Sequence, residues 1–179
     1  MVNKDIEVAR SIRLILSDVD GVLTDGSITI DNAGVESKSF YVRDGLGIKL
    51  WQRAGFKFGL LTARNSQIVK LRATELGIDI VRQGFEEKLP IAREVFVQVG
   101  VEPHEVCYIG DDLQDLPVLW EVGLPVAVAD AAHEVQTAAK WVTQARGGRG
   151  AVREVVERLL RAKDCWEQCI PANPMTPLR

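Results

Sequence analysis

Few of the 179 residues are of the kinds that build disulfide frameworks or nitrogen and sulfur metal centres. There are only three cysteines, Cys107, Cys165 and Cys169, and two histidines, His104 and His133. The cysteines form no CxxC pair, so we expect reduced thiols without disulfides, and the isolated histidines are typical of surface positions. The sequence therefore argues against a secreted disulfide scaffold and against a zinc site.

The chain also lacks a strong excess of either charge and a long apolar run. Its 25 acidic and 22 basic residues give a formal net charge of −3, and no basic cluster marks a nucleic-acid surface. No stretch approaches the roughly 18 apolar residues of a membrane span, and residues 1–13 do not resemble a signal peptide. We therefore expect a cytoplasmic protein that binds neither nucleic acid nor membrane.

Apolar segments of strand length alternate with amphipathic segments of helix length. We predict strands at residues 13–19, 57–63, 79–83, 105–111, 124–130 and 140–144, and helices at 44–54, 66–76, 86–99, 112–121, 131–138 and 151–163. This alternation is typical of an α/β fold, a doubly wound, Rossmann-like parallel sheet with helices on both faces. Such a sheet binds ligands beyond the carboxyl ends of its strands, where the strand order reverses.

One segment interrupts this alternation. Residues 27–42 show two runs of period-two alternation about a turn at 31–34, which predicts a β-hairpin inserted after the first strand. We predict a single domain over residues 1–163 that includes this hairpin. Residues 164–179 form a C-terminal tail, and the three prolines of its last segment, PANPMTPLR, predict irregular structure.

Polar residues collect where the predicted strands end. They are Asp18, Asp20, Thr62, Arg64, Lys88, Asp111, Asp112 and Asp115. Because the ends of parallel strands meet at one edge of a sheet, we expect these side chains to converge there. Neighbouring carboxylates raise one another's pKa, and a divalent cation relieves their repulsion. Hard oxygen ligands without a histidine or cysteine cluster favour Mg²⁺.

The first two carboxylates suit two different catalytic roles. Gly21 lets the backbone turn sharply after Asp20, so that Asp18 and Asp20 can both reach a group beyond the strand. One of them is predicted to be an in-line nucleophile and the other a general acid and base, which divides phosphate-ester hydrolysis into two displacements through an aspartyl phosphate. Thr62 and Lys88 supply a hydroxyl donor and a positive charge for the phosphoryl group.

These motifs resemble those of the haloacid dehalogenase superfamily of phosphohydrolases. Residues 18–24, DVDGVLT, match its DxDGxxT motif, Thr62 and Lys88 match the second and third motifs, and residues 110–115, GDDLQD, match the acidic fourth. Further stretches at 40–49, 83–89, 126–131 and 146–155 are similar to a capless branch, the phosphatases of 3-deoxy-D-manno-octulosonate 8-phosphate (KDO 8-phosphate). This resemblance implies a Mg²⁺-dependent hydrolase of lipopolysaccharide biosynthesis that forms a homotetramer around its hairpins.

The resemblance also implies individual roles. Asp18 is the nucleophile and Asp20 the acid/base, and Mg²⁺ is held by the Asp18 side chain, the Asp20 carbonyl and Asp111. Asp112 and Asp115 are expected to support the metal or its waters. Substrate binding is predicted at Arg43, Asp44, Ala63, Arg64, Arg72, Arg146 and Arg149.

Two features near the second motif bear on the substrate. Ala63 stands where the superfamily usually has glycine, but its backbone N–H is still available. Arg64 stands where phosphatases of nine-carbon sugar acids tend to carry glutamate. Its planar guanidinium can form two parallel hydrogen bonds with a substrate carboxylate. Only about 25 residues separate Thr62 from Lys88, too few for a cap domain, so we expect a partner subunit to shield the site.

Several alternatives stay open at this stage. The substrate is either KDO 8-phosphate or another sugar phosphate, such as a nine-carbon keto-acid 9-phosphate, and a non-catalytic oligomerisation module is a third possibility. Lys88 also suits a solvated helix surface, and Asp115 a helix N-terminus. The run at 146–150, RGGRG, is either a flexible linker into the last helix or a mobile, basic arm that closes over an anionic ligand. Asp25 matches no motif and is expected to support the loop into the hairpin.

Overall fold

The computed structural model of the protein describes residues 4–170. Its central sheet has six parallel strands: β1 (Leu14–Ser17), β4 (Lys57–Thr62), β5 (Ile80–Gln83), β6 (Val106–Gly110), β7 (Leu124–Ala127) and β8 (Trp141–Val142). Two short strands, β2 (Thr29–Ile30) and β3 (Glu36–Ser37), pair antiparallel as a separate hairpin. The predicted parallel α/β sheet with an inserted hairpin is confirmed.

Helices surround the sheet. They are α1 (Lys4–Ser11), α2 (Val42–Arg53), α3 (Gln67–Leu76), α4 (Lys88–Val99), α5 (Leu116–Leu119), α6 (His133–Ala138), α7 (Ala151–Ala162) and α8 (Trp166–Cys169). One group joins α1, α2 and α7, and another joins α4, α5 and α6. No helix in the described part of the chain is long and apolar enough to cross a membrane.

The strand order determines where a ligand can bind. It runs β5-β4-β1-β6-β7-β8, so the chain winds outward from β1 in one direction and then returns to β6 on the other side. The reversal point lies between β1 and β6, where Ser17 is level with Ile109. The side chains that follow these two strands therefore meet in the crevice where such sheets bind ligands.

The core holds these strand ends rigidly. The apolar residues of β1, Leu14, Ile15 and Leu16, are fully buried, as expected for a central parallel strand. Helix α7 buries one apolar face with helical spacing, which packs on α2. Each fully buried aliphatic side chain contributes roughly 1.5–3 kcal/mol.

The structure differs from the sequence prediction mainly at the edges of the fold. The hairpin strands have two residues each, because most residues of segment 27–39 are exposed and a longer ladder would bury little. The predicted helix at 112–121 is a 3₁₀ turn, Leu113–Asp115, followed by the short α5. Helix α1 was not predicted, and α8 lies within the predicted tail, where Trp166 is buried. The proline-rich segment 171–179 lies outside the described residues.

Candidate active site

A cleft of about 260 Å³ opens at the carboxyl edge of the sheet. It is lined by Asp18, Asp20, Gly26, Thr62, Ala63, Arg64, Lys88, Asp111, Asp112, Gln114 and Asp115. All residues predicted to act in catalysis or metal binding therefore lie together, although four segments of the chain supply them. Ala63 and Arg64, two of the predicted substrate contacts, line the same cleft.

The loop after β1 brings the first two carboxylates into the cleft. The Asp18 N–H donates to the Ile109 carbonyl at 3.0 Å, which extends the pairing of β1 with β6 up to Asp18. The chain then turns through Gly21, which has φ of +95°. A Cβ at Gly21 would lie 2.0 Å from Asp111 Oδ2, so only glycine allows Asp111 to approach this loop.

Four buried or partly buried groups form what we call the floor of the cleft: Asp18, Lys88, Asp111 and Asp115. Lys88 Nζ donates to Asp115 Oδ1 at 2.7 Å and lies 3.1 Å from Asp18 Oδ1. The side chain of Lys88 is only 2% exposed, so its charge is directed at these two carboxylates and is shielded from water. The alternative of a solvated helix lysine is therefore wrong.

Asp115 organises the floor through both of its oxygens. Its Oδ1 accepts hydrogen bonds from Lys88 and from the buried Tyr108 hydroxyl, the latter at 2.6 Å. Its Oδ2 accepts from the backbone N–H groups of Asp111 and Asp112, at 2.8 and 3.2 Å. Four donors thus satisfy this carboxylate, which orients Lys88 and the chain that carries Asp111.

The floor carries more negative than positive charge. Burial, together with the Asp115 carboxylate and against the effect of Lys88, raises the pKa of Asp18 to about 7. Burial, with Asp18 and Asp115, raises the pKa of Asp111 to about 8. Burial alone would lower the pKa of Lys88, but the carboxylates of Asp18 and Asp115 outweigh the effect of burial and raise that pKa.

The floor has the donor set of a site for a hard cation. Within residues 4–170, the buried side-chain oxygens without a hydrogen-bond partner are Asp18 Oδ1, Asp20 Oδ2 and Asp111 Oδ1, all in this cleft. One carboxylate oxygen from each of Asp18, Asp111 and Asp115 lies within 4.8 Å of the others. Oxygen donors alone suit Mg²⁺ better than zinc or copper, so these residues fit the predicted metal.

A second group of side chains forms what we call the rim: Asp20, Glu36, Lys38 and Arg64. Lys38 Nζ forms an ion pair with Asp20 Oδ1 and lies 3.4 Å from Glu36 Oε1. Arg64 Nη2 donates to Glu36 Oε1 at 2.9 Å, and its Nε lies 3.9 Å from Asp20 Oδ2. Sequence reasoning missed Glu36 and Lys38. The period-two alternation of the hairpin could have indicated these two residues, because it places residues 36, 38 and 40 on one face.

Three predicted substrate contacts lie outside the cleft of this chain. Asp44 is buried, and its carboxylate accepts from the backbone N–H groups of Arg153 and Gly150 at 2.7 and 3.1 Å, so it caps α7. Arg72 stacks over Phe40 and pairs with Glu75, while Arg43 is exposed on the first turn of α2. Asp44 therefore caps α7 and does not line the cleft in which it was predicted to bind substrate.

Arg146 and Arg149 line an adjacent recess of about 240 Å³ with Asp25 and Asp130. Arg146 pairs with Asp130 at 3.1 Å, and Arg149 lies 3.5 Å from Asp25, with both guanidinium groups largely exposed. Asp25 Oδ1 also accepts from the Ser27 N–H at 3.1 Å, which supports the loop into the hairpin as expected. The two arginines therefore stand beside the cleft and not within it.

The backbone between these arginines packs on the loop after β1. The Gly148 N–H donates to the Val22 carbonyl at 2.8 Å. A Cβ at Gly147 would lie 1.8 Å from the Gly21 carbonyl oxygen, so the two chain segments touch backbone to backbone. Both interpretations of this run, as a linker and as an arm, expected it to be mobile. Its backbone instead packs against the loop that carries Asp20 and supports that loop.

Known proteins are similar to this chain in sequence and in architecture. The model of the haloacid dehalogenase-like hydrolase family matches residues 65–155. The 3-deoxy-D-manno-octulosonate 8-phosphate phosphatase KdsC of Yersinia pestis is 45% identical over 162 residues, which cover 90% of this chain and 87% of that protein. KdsC of Escherichia coli K12 is 44% identical over 158 residues, 88% of this chain and 84% of that protein.

Solved structures give the same result. The crystal structure of the phosphatase from Moraxella catarrhalis, in complex with magnesium, phosphate and KDO, aligns with a TM-score of 0.91 at 37% identity. The alignment covers 94% of this chain and 97% of that chain. The Yersinia pestis enzyme aligns with a TM-score of 0.89 at 44% identity, covering 90% and 88% of the two chains.

Proposed function

This chain belongs to the haloacid dehalogenase-like hydrolases, and we propose that within this family it hydrolyses KDO 8-phosphate to KDO and inorganic phosphate. It is a phosphoric monoester hydrolase. The observation that carries the proposal is the floor of the cleft, in a chain 45% identical to such a phosphatase. A buried carboxylate proposed as the nucleophile, an ammonium group and carboxylate oxygens without a hydrogen-bond partner meet there.

In the first step, the Asp18 carboxylate attacks phosphorus in line with the ester oxygen. The bond between phosphorus and the C8 oxygen of the sugar breaks, and Asp20 gives its proton to that oxygen as the sugar leaves. An aspartyl phosphate remains on Asp18. Lys88 and the Thr62 hydroxyl face the same cleft and stabilise the charge on the phosphoryl oxygens.

In the second step, a water molecule attacks the aspartyl phosphate. Asp20, now ionised, takes a proton from that water, and the bond between phosphorus and the Asp18 oxygen breaks. Inorganic phosphate is released, and both carboxyl groups return to their starting state. One residue thus serves as acid in the first step and as base in the second.

The proposed cofactor is Mg²⁺, held by the side chains of Asp18 and Asp111 and by the Asp20 carbonyl. When bound, it neutralises charge on the phosphoryl oxygens and on the two buried carboxylates. Asp115 is engaged by four donors and Asp112 caps the turn at Leu113, so both support the site. Asp18 Oδ1 and Asp111 Oδ1, which have no hydrogen-bond partner, support this assignment.

Arg64 favours the eight-carbon acid over nine-carbon keto-acid 9-phosphates. Its side chain is 44% exposed at the rim, where the guanidinium can form a bidentate pair with a substrate carboxylate. A neighbouring subunit would close the open cleft, and Arg43, Arg72, Arg146 and Arg149 are the candidates to act across that interface. We propose a cytoplasmic homotetramer in lipopolysaccharide biosynthesis, with one domain over residues 1–163 and a tail over residues 164–179.

The decisive experiment measures phosphate release from a panel of phosphorylated sugar acids, with Mg²⁺ and with a chelator. We expect the highest kcat/KM with KDO 8-phosphate and loss of turnover on chelation. A preference for a nine-carbon 9-phosphate would overturn the assignment of Arg64. Absence of phosphate release from every ester would favour a non-catalytic oligomerisation module. Light scattering on the same preparation measures the oligomeric state.

A further inference from the structure

We propose that Lys38, on the hairpin, is a positioning residue that fixes the carboxylate of Asp20 in the cleft. The proposal rests on the proposed function, because that function assigns proton transfer to Asp20. Its own basis is the contact between Lys38 Nζ and Asp20 Oδ1. Lys38 lies outside the four sequence motifs, so the motifs alone assign it no part in the reaction.

The side chain of Lys38 is buried, which is unusual for lysine. Its side chain is 1% exposed, although its hairpin neighbours Ser37 and Ser39 are exposed. Burial of an ammonium group is unfavourable unless carboxylates pair with it, and Asp20 and Glu36 do so here. Since a buried ion pair seldom stabilises a fold more than apolar side chains would, stability alone does not account for this lysine.

The contact distinguishes the two oxygens of Asp20. Lys38 engages Oδ1, and Oδ2 is left buried without a hydrogen-bond partner, 3.9 Å from Arg64 Nε. Asp20 stands just before Gly21, on a loop segment beyond the sheet pairing that holds Asp18. An anchor from outside the loop is therefore needed to hold one carboxylate oxygen toward the leaving group.

The hairpin can serve as this anchor because Lys38 lies between two held points. On one side, Glu36 accepts from Arg64 at 2.9 Å and lies 3.4 Å from the Ser66 hydroxyl that donates to it. On the other side, Phe40 packs against the core beneath Arg72. Residues 36, 38 and 40 share the inward face, which directs the lysine at Asp20.

The test compares two leaving groups in the variants Lys38→Met and Lys38→Arg. Methionine keeps the length of the side chain without its charge, and Lys70→Met, on the exposed surface of α3, is the matched control. We expect Lys38→Met to lower kcat/KM about 100-fold for KDO 8-phosphate and less than about 5-fold for p-nitrophenyl phosphate, because nitrophenolate leaves without a proton. Lys38→Arg should recover part of the loss, and Lys70→Met should match the wild type.

Equal losses with both esters, or no loss with either, would overturn the proposal. If the wild type does not hydrolyse KDO 8-phosphate but hydrolyses another alkyl phosphate, the proposed substrate is wrong. The comparison of that alkyl ester with p-nitrophenyl phosphate in the Lys38 variants then still tests the role of Lys38. A crystal structure of Lys38→Met gives a readout that is independent of turnover. We expect the Asp20 carboxylate to rotate or shift there, and an unchanged position within about 0.5 Å would contradict the positioning role.

Discussion

The floor and the rim of the cleft are built by different parts of the molecule. The floor groups follow β1 and β6 or begin α4, and they are held by strand pairing and by hydrogen bonds to the backbone. The rim groups come from the hairpin, from the loop after β4 and, in the case of Asp20, from the loop after β1. Ion pairs join them to one another. The side chain of Arg64 is 44% exposed, whereas that of Lys88 is 2% exposed.

This difference separates two tasks of the enzyme. In the proposed mechanism the floor handles the phosphoryl group, which every phosphate ester shares, and the geometry of the floor is fixed together with the core. The rim is proposed to contact the part of the substrate that varies, and its ion pairs can be changed without disturbing the sheet. Floor variants should therefore affect all esters alike, and rim variants should discriminate among them.

The largest expected effect is that of Asp18→Asn on turnover. Asparagine cannot attack phosphorus, so we expect a loss of at least about 10⁴-fold with every ester, sugar acid or aryl. Because burial already favours the neutral form of Asp18, the melting temperature should not fall. Phosphate release and thermal melts measure both quantities. Turnover above about 1% of the wild type would remove Asp18 from the nucleophile role.

Asp115→Asn tests whether the floor is part of the folding core. The substitution places an amide among four donors, and breaking a buried ion pair costs about 3–5 kcal/mol. Urea denaturation should show that loss in the free energy of unfolding. The control is Asp112→Asn next to it, an exposed residue, with an expected loss below about 1 kcal/mol. Equal losses in the two variants would contradict the distinction between floor and surface.

Mg²⁺ should stabilise the protein more strongly as pH rises. The pKa values of Asp18 and Asp111, about 7 and about 8, lie above the ordinary 3.8, so the folded state binds these protons more tightly than the unfolded state. The stability they contribute without metal is complete below about pH 4 and is lost as pH rises through about 8.

Saturating Mg²⁺ replaces those protons, and at about 100 times its dissociation constant a ligand adds about 2.7 kcal/mol. The shift in melting temperature on adding Mg²⁺ should therefore be larger at about pH 8.5 than at about pH 6. Asp111→Asn should remove most of this difference. A larger shift at acid pH would show that the cation binds elsewhere.

The smallest expected effect is that of Glu36→Gln, a rim variant. Without its charged partner the Arg64 guanidinium is no longer held in one orientation for a substrate carboxylate. We therefore expect KM for KDO 8-phosphate to rise about 3- to 10-fold, which corresponds to a loss of about 1 kcal/mol in binding free energy. KM for p-nitrophenyl phosphate, which lacks a carboxylate, should stay constant. Glu121→Gln, which removes the partner of Arg93 outside the cleft, is the control. Parallel changes with both substrates would place Glu36 in the general support of the fold.

The sequence was sufficient for the sheet and for the floor. Apolar runs define the strands, and the acids Asp18, Asp111 and Asp115 stand at their ends because a parallel sheet places those ends together. The same topology explains why Lys88 is found with them. Each of these residues has a position that depends mainly on local periodicity and strand order.

The rim and the supporting contacts could not be predicted in this way. Lys38 and Glu36 lie in a polar, largely exposed hairpin, and their burial depends on Asp20 and Arg64, which other segments bring to them. Asp44 was predicted to contact the substrate, but in the structure the N-terminus of α7 packs against it and supplies two N–H donors to its carboxylate. Such roles arise from tertiary contacts that leave no periodic pattern in the sequence.

The backbone contact of Gly147 with Gly21 joins two parts of the chain that lie far apart in the sequence. The loop that carries Asp20 follows the first strand of the sheet in chain order, whereas the segment that supports this loop follows β8, the last strand of the described residues. A chain without the segment after β8 would still carry Asp18, Lys88 and Asp111, but the loop after β1 would lack the backbone against which it packs. The start and the end of the strand series therefore meet at this loop, so a change after β8 should reach the cleft.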